Sequence, residues 1–338
     1  MRKLIGVFSS AALLASLLAV AAAPSVGAVT CTPTGYWRDG MNLTAAQIGG
    51  DVTGTLDATG CNIGAYFDAT NTGNVTSAEI YGANYFGVLV NGGNVDVTGS
   101  SIHDIGETPF NGAQHGVAIY YAYGSSSTGT VSGNNVWNYQ KGGIVANGTG
   151  TLVTIADNTV TGLGPVDFIA QNGIQLGYGA AGEVKRNTVT DNWYSPYEWT
   201  AAGILVFEAN DIAVDRNIVT DNQAGVVAES WCWVAPSASE NKIVGNTISG
   251  AQVGVLVDSW ALPWSTCNAA ADNNKVVNNT ITATSGDVGV YVGATVWSSS
   301  YVPSAVNNKV TRNVISGYTQ AIQDDGSDTK SHANVFAP

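Results

Sequence analysis

The sequence predicts an all-β fold: a single right-handed parallel β-helix, a solenoid of about eight to nine coils. Two recurring elements and one compositional fact predict it. A glycine followed by alternating apolar residues returns every 22 to 35 residues, from Gly87-Val88-Leu89-Val90 to Gly289-Val290-Tyr291-Val292. Between successive copies stands an asparagine just ahead of Val or Ile, as in Asn187-Thr188-Val189 and Asn246-Thr247-Ile248. The chain is poor in charged residues (11 %) and holds 41 glycines in 338 residues. That composition suits strands and tight turns rather than amphipathic helices.

The glycine element recurs at Gly87, Gly116, Gly143, Gly173, Gly203, Gly225, Gly254 and Gly289, with a degenerate copy at Ala321-Ile322-Gln323. Short strands at this spacing, with no helix between them, cannot bury an apolar face alone. Stacked coils solve that problem, because each coil covers its neighbour. The second element reads Asn135-Val136, Asn158-Thr159-Val160, Asn187, Asn217, Asn246, Asn279 and Asn313. A repeated Asn at a bend is suited to a ladder in which its side-chain amide bonds backbone groups. A β-sandwich is the alternative all-β fold, but it would not show two elements in fixed register.

The ends differ from the repeats. Arg2 and Lys3, an apolar run to Ala23 and the small-residue exit at Val26-Gly27-Ala28 have the pattern of a secretory signal peptide over residues 1–28. Residues 29–79 are expected to form an N-terminal cap and first coil, 80–323 the repeats, and 324–338 a C-terminal cap or tail. No second apolar span follows, so no membrane span is expected. Four cysteines in an exported chain suggest two disulfides. Proximity along the coils favours Cys31–Cys61 and Cys232–Cys267. Lys+Arg number 12 against 25 Asp+Glu, a net charge of −13. Nucleic acid is therefore not an expected partner.

The repeats resemble those of the right-handed parallel β-helix superfamily, which contains pectate lyases and polygalacturonases. The chain is most similar to secreted bacterial β-helix repeat proteins of undescribed activity. The resemblance covers roughly residues 80–323 and implies a carbohydrate polymer or oligosaccharide as partner. The Arg-rich motif of pectate lyases is absent, as are the paired-Asp and Gly-His-Gly motifs of polygalacturonases. Neither family's catalytic residues carry over.

Aligning the strands on their glycines sorts outward side chains into columns. The fourth column reads Asn91, Tyr120, Asn147, Gly177, Phe207, Glu229, Asp258 and Gly293, and Tyr178 and Glu208 occupy the next position. Glu208, Glu229 and Asp258 thus gather at one rim of three consecutive coils. Carboxylates one or two coils apart span roughly 5–10 Å, which suits acid/base work on a glycosidic bond. The alternative is a solvated acidic edge or a Ca²⁺ site, calcium being the one cofactor suggested. Long loops beside the rim carry Trp231, Trp233, Trp260, Trp264 and Trp297. With Tyr178 they would form a sugar-stacking cleft, or else pack on one another or form a homo-oligomer edge. A further insertion runs from Trp193 to Trp199.

A second cluster holds His103-Asp104 and His115, and Lys141 lies near it. These are the alternative catalytic residues, for a metal site or a proton-abstracting base. Three functional readings follow. The first is a secreted enzyme that cleaves or transfers glycosidic bonds. The second is a non-catalytic glycan-binding or self-assembling matrix protein. The third is a polysaccharide lyase acting by β-elimination.

Overall fold

The structure is a computed structural model and describes residues 30–195, 200–297 and 299–337. Residues 1–28, expected to be a signal peptide, lie outside the described residues, as do Tyr197, Glu198 and Trp199 of the Trp193 insertion. No described helix is long and apolar enough to cross a membrane. The chain winds as a right-handed parallel β-helix, and its strands join in one continuous hydrogen-bonded array.

Each coil contributes to three parallel sheets. The glycine sheet stacks Ile63–Asp68, Phe86–Asn91, Val117–Tyr121, Gly142–Asn147, Asn172–Gly177, Ala202–Phe207, Ala224–Ser230 and Val253–Ala261. The second sheet includes Leu152–Ala156, Ala181–Lys185, Ala213–Asp215, Lys242–Val244, Lys275–Val277, Lys309–Thr311 and Lys330–His332. The third carries Ser101–Ile105, Asn135–Tyr139, Thr159–Val166, Thr188–Tyr194, Ile218–Thr220 and Thr247–Ser249.

The interior is built from columns of like residues. Val88, Ile119, Ile144, Ile174, Ile204, Val226, Val255 and Val290 form one such column and are fully buried. Each such side chain contributes about 1.5–3 kcal/mol by leaving water. The strand glycines leave room for the neighbouring coil. A Cβ on Gly143 would lie 2.5 Å from the Gly173 carbonyl oxygen and 2.5 Å from a Val160 methyl.

The expected asparagine ladder exists at the corner between the second and third sheets. Asn158, Asn187, Asn217, Asn246, Asn279 and Asn313 are all buried. Asn187 donates its side-chain amide to Asn217 Oδ1 at 3.0 Å and its backbone N–H to the same oxygen at 2.9 Å. The pattern repeats coil after coil. In the Val136 coil the ladder residue is Asn134, not Asn135: Asn134 bonds Asn158 and is buried, whereas Asn135 is exposed.

One coil departs from the predicted register. Ile119 aligns with Ile144, so Ala118 takes the glycine position and Gly116 lies before the strand in a turn with φ +83°. Tyr120 therefore stands in the second outward column, beside Leu89 and Val145, and Ala122 takes the fourth. A shift of two keeps the faces of Ile119 and Tyr120. Tyr121 turns inward and donates its hydroxyl to the Val95 carbonyl at 2.5 Å.

The two ends depart from the repeat in different ways. Thr32–Arg38 folds antiparallel on Met41–Ile48, which pairs in parallel with Ile63–Asp68. The hairpin lies over the outer face of the glycine sheet, where Tyr36 packs against a second apolar cluster that includes Phe86, Leu89 and Tyr120. The Cys31–Cys61 disulfide ties its base. Over residues 324–338, Lys330–His332 and Val335–Ala337 extend two of the sheets by another rung.

Candidate functional site: a groove on the glycine sheet

Past the N-terminal hairpin, the outer face of the glycine sheet opens into a groove of about 780 Å³. Its floor is three outward columns of that sheet. Val117 and Ala202 come from the position just before the glycine, Val145, Gln175, Leu205 and Val227 from the second after it, and Asn147, Phe207 and Glu229 from the fourth. Sequence therefore places the floor through the same alternation that fills the core.

One wall is aromatic. Tyr178 meets Phe207 edge to face at 5.3 Å, and Phe207 meets Trp231 at 5.4 Å and Trp233 at 5.8 Å. Trp231 and Trp233 lie 4.9 Å apart at 87°. Trp233 is 47 % exposed, a flat apolar surface open to a ligand. Trp231 and Trp233 flank Cys232, whose disulfide to Cys267 fixes this loop to the next coil. The Trp loops thus divide. Tyr178, Trp231 and Trp233 line the groove, Trp260 stands half-buried beyond it, and Trp264 and Trp297 pair with each other at 6.4 Å and do not line it.

The three rim carboxylates also divide. Phe207, Glu229 and Asp258 are in register on consecutive coils, and Glu208 lies one residue past the end of its strand, at φ +52°. Glu208 is fully buried, and the backbone N–H groups of Trp233, Val234 and Ala235 all donate to its carboxylate, at 2.6 to 2.9 Å. Glu208 is thus the anchor of the tryptophan loop, and its oxygens are occupied rather than turned to the groove.

Among the described residues, Glu229 is the one carboxylate lining the groove, and it is 8 % exposed. The Trp231 indole N–H donates to its Oε1. Burial pushes its pKa up to about 7; the Trp231 hydrogen bond opposes the shift and the charge of Glu208 adds to it. Asp258, one coil on and 2 % exposed, is raised well above the usual carboxylate range by burial and then by Glu229. Parallel strands set their backbones about 4.8 Å apart. The pair therefore keeps a proton near neutral pH, where isolated carboxylates have none. One group of the pair is equipped to give a proton and, once ionised, to take it back.

The alternative residues fall into three separate places. His103 is stacked between Tyr81 at 5.4 Å and Trp137 at 4.2 Å, in register on the third sheet, with Nδ1 2.7 Å from Asp104 Oδ2. His115 stacks on Tyr85 at 3.8 Å, and its Nε2 is 2.7 Å from Glu107 Oε1. Its Nδ1 lies 3.7 Å from Asp39 of the hairpin. The two histidines do not form one site: the first belongs to an aromatic row and the second clamps the hairpin. Among the described residues, no three or more His, Cys, Asp or Glu side chains are grouped to hold a metal ion.

Lys141 does line the groove. Its Nζ donates to the Ala170 carbonyl at 2.7 Å, and burial lowers its pKa to about 8. Lys141 precedes Gly142, which aligns through Asn172 and Ala202 with Ala224. It is therefore three coils and six strand positions from Glu229, roughly 24 Å. The two groups lie toward opposite ends of the groove.

Sequence reasoning missed the hairpin's part in the site. Arg38 lines the groove, lies 5.5 Å over the Phe86 ring and donates to the Gln114 carbonyl at 2.8 Å. Its only signal was an Asp39-Gly40 turn between two strand-like runs.

The chain matches the family model described as "Right handed beta helix region" over residues 55–194 and 117–315. No curated protein sequence matches it. Among solved structures it is similar to the A-module of the Azotobacter vinelandii mannuronan C-5 epimerase AlgE6. That likeness has TM-score 0.55 and 14 % identity, over 86 % of this chain and 79 % of that one. The periplasmic alginate epimerase AlgG is similar at TM-score 0.52 and 13 % identity, over 85 % of this chain and 74 % of that one. At such identities the likeness is one of fold. With the family model spanning most of its coils, the chain belongs to the right-handed β-helix family.

Proposed function

We propose that this protein is a secreted, carbohydrate-active β-helix protein that seats an extracellular polysaccharide in the glycine-sheet groove and acts on a glycosidic bond through Glu229. The observation that carries the reading is Glu229 itself. Among the described residues it is the single carboxylate lining the groove, it is held by an indole N–H beside two tryptophans, and burial moves its pKa to about 7. A flat aromatic wall beside a proton donor poised near neutral pH suits a sugar ring and its bridging oxygen. The two disulfides fit an oxidising compartment. The structural neighbours named as alginate and mannuronan epimerases act on polysaccharide, which agrees with this substrate class.

In this reading Glu229 protonates the leaving oxygen and later withdraws the proton from the incoming water or sugar hydroxyl. Water takes the leaving group's place on the anomeric carbon and returns its proton to Glu229, while Asp258, buried one coil away, couples to that carboxyl. Trp231 positions Glu229, and Trp233 with Tyr178 supports the ring. Purified protein should release reducing ends from one or more members of a polysaccharide panel, and Glu229→Gln should lose that activity with the fold intact. Full activity in Glu229→Gln removes the site.

Lys141 favours a second reading. A desolvated amine with a pKa near 8 suits abstraction of the proton beside a uronate carboxyl. Unsaturated sugar products that vanish in Lys141→Met but survive in Glu229→Gln would select β-elimination over glycosidic cleavage.

A further inference from the structure

The second sheet carries a feature that the groove does not use. Lys242, Lys275, Lys309 and Lys330 stand in register on four consecutive coils. Parallel strands bring such a row to about 4.8 Å per step. Like charges directly opposite one another are unfavourable, and this row lies on a chain with net charge −13.

Earlier coils of the same face neutralise their cations. Lys185 pairs with Glu183, Arg186 Nη2 with Asp157 at 2.7 Å, and Arg216 Nη2 with Asp215 at 2.6 Å. Among the described residues, the four row lysines and the neighbouring Arg312 have no ion pair within 4.0 Å. A shallow channel of about 500 Å³ runs along the row. Its other border is the turn column Asp211, Glu240, Asn273, Asn307. The carboxylates give way to amides where the lysines continue, and a carboxylate returns at Asp328, level with the last coil. Lys275 and Lys309 therefore face exposed amide groups, a donor set that suits an anion.

We propose that this row is a second glycan surface, binding a linear acidic polysaccharide along the helix axis through its carboxylate or sulfate groups. Charge complementarity selects the occupant: unpaired cations in a straight line, on an otherwise acidic body, match a linear polyanion. The adjoining outward column of Val244, Val277, Thr311 and His332 holds no Trp, Tyr or Phe on which nucleic-acid bases could stack. The surface lies on a different sheet from the groove, so its test does not depend on the Glu229 reading.

The experiment is retention of the full-length protein on immobilised polygalacturonate at ~0.1 M salt, where charges act over about 10 Å. Lys275→Gln/Lys309→Gln should weaken binding roughly tenfold or more. Lys185→Gln, at a lysine already paired with Glu183 on an earlier coil, should leave retention near wild type. Binding should disappear at ~1 M salt, where screening shortens to about 3 Å. Circular dichroism melts of the lysine variant should match or exceed wild type, since like-charge repulsion is removed.

Four results would overturn the proposal. The lysine variant could bind as wild type does, or neutral dextran could be retained equally. Single-stranded DNA could bind more tightly than the uronate polymer. Light scattering could show a wild-type dimer that the lysine variant breaks into monomers, which would make the row a contact between copies.

Discussion

The asparagine corner and the carboxylate rim are both buried rows of polar side chains, one per coil, yet they carry opposite energies. At the corner each amide gives and takes hydrogen bonds with the coils on either side, so nothing is left unpaired. At the rim, Glu229 and Asp258 are stacked with like charge and little solvent, and their pKa values rise together. The same coil spacing therefore builds stability from a neutral amide and stores reactivity in a carboxylate. Glu208 sits beside the rim but follows the rule of the corner, because three backbone N–H groups satisfy it.

The comparison breaks first at the corner. Asn217→Ala removes the acceptor of Asn187 and the donor to the Val184 carbonyl, all buried. Unpaired buried polar groups cost about 1–3 kcal/mol each, so the loss should be about 3–5 kcal/mol by urea unfolding. A loss under about 1 kcal/mol would mean that the ladder relaxes onto water. Glu208→Ala should cost about 2–4 kcal/mol in the same measurement. It should also raise protease sensitivity within the Trp231–Ala235 loop, while an unchanged cleavage pattern would remove its anchoring role.

The rim should respond with the opposite sign. Folding raises the Glu229 pKa to about 7. Its favourable contribution is therefore complete below the unfolded-state value and is lost as pH rises through about 7. Glu229→Gln should then stabilise the fold by about 3 kcal/mol at pH 8 and by about 1 kcal/mol or less at pH 5. Equal melting shifts at both pH values would show that the carboxyl is not held protonated by its site.

Asp68 supplies the smallest effect. Burial raises its pKa, but hydrogen bonds from Thr70 and Asn71 outweigh burial and hold it at about 2. Its contribution is present above the unfolded value and is lost as pH falls toward 2. Because the group is largely solvated, Asp68→Asn should cost under about 1 kcal/mol at pH 7.

The fold was legible because stacking repeats one answer many times. Gly143, Ile144 and Asn187 recur in kind on neighbouring coils, so pattern alone assigns inside, outside and corner. The register slipped by two at Gly116 because a turn glycine before Val117 mimics the strand glycine, and Ala118 fits where glycine usually stands. Asn134 and Asn135 show the same ambiguity: two adjacent asparagines satisfy the same pattern, and only pairing separates them. The rim was half legible. Column alignment brought Glu229 and Asp258 together, but it could not show that the loop after Cys232 folds its backbone onto Glu208. Arg38 entered the groove through a hairpin outside the repeats, where periodicity carries no information.

The central claim is that Glu229 transfers protons to a glycan held in the groove. Its most direct test is the pH profile of kcat/KM on whichever polysaccharide the protein cleaves, for wild type and for Glu229→Gln. The wild-type profile should show a limb with an apparent pKa near 7, set by burial of that carboxyl. In Glu229→Gln the limb should vanish and the rate should fall roughly 10²–10⁴-fold. A variant that keeps both the limb and the rate would contradict the account.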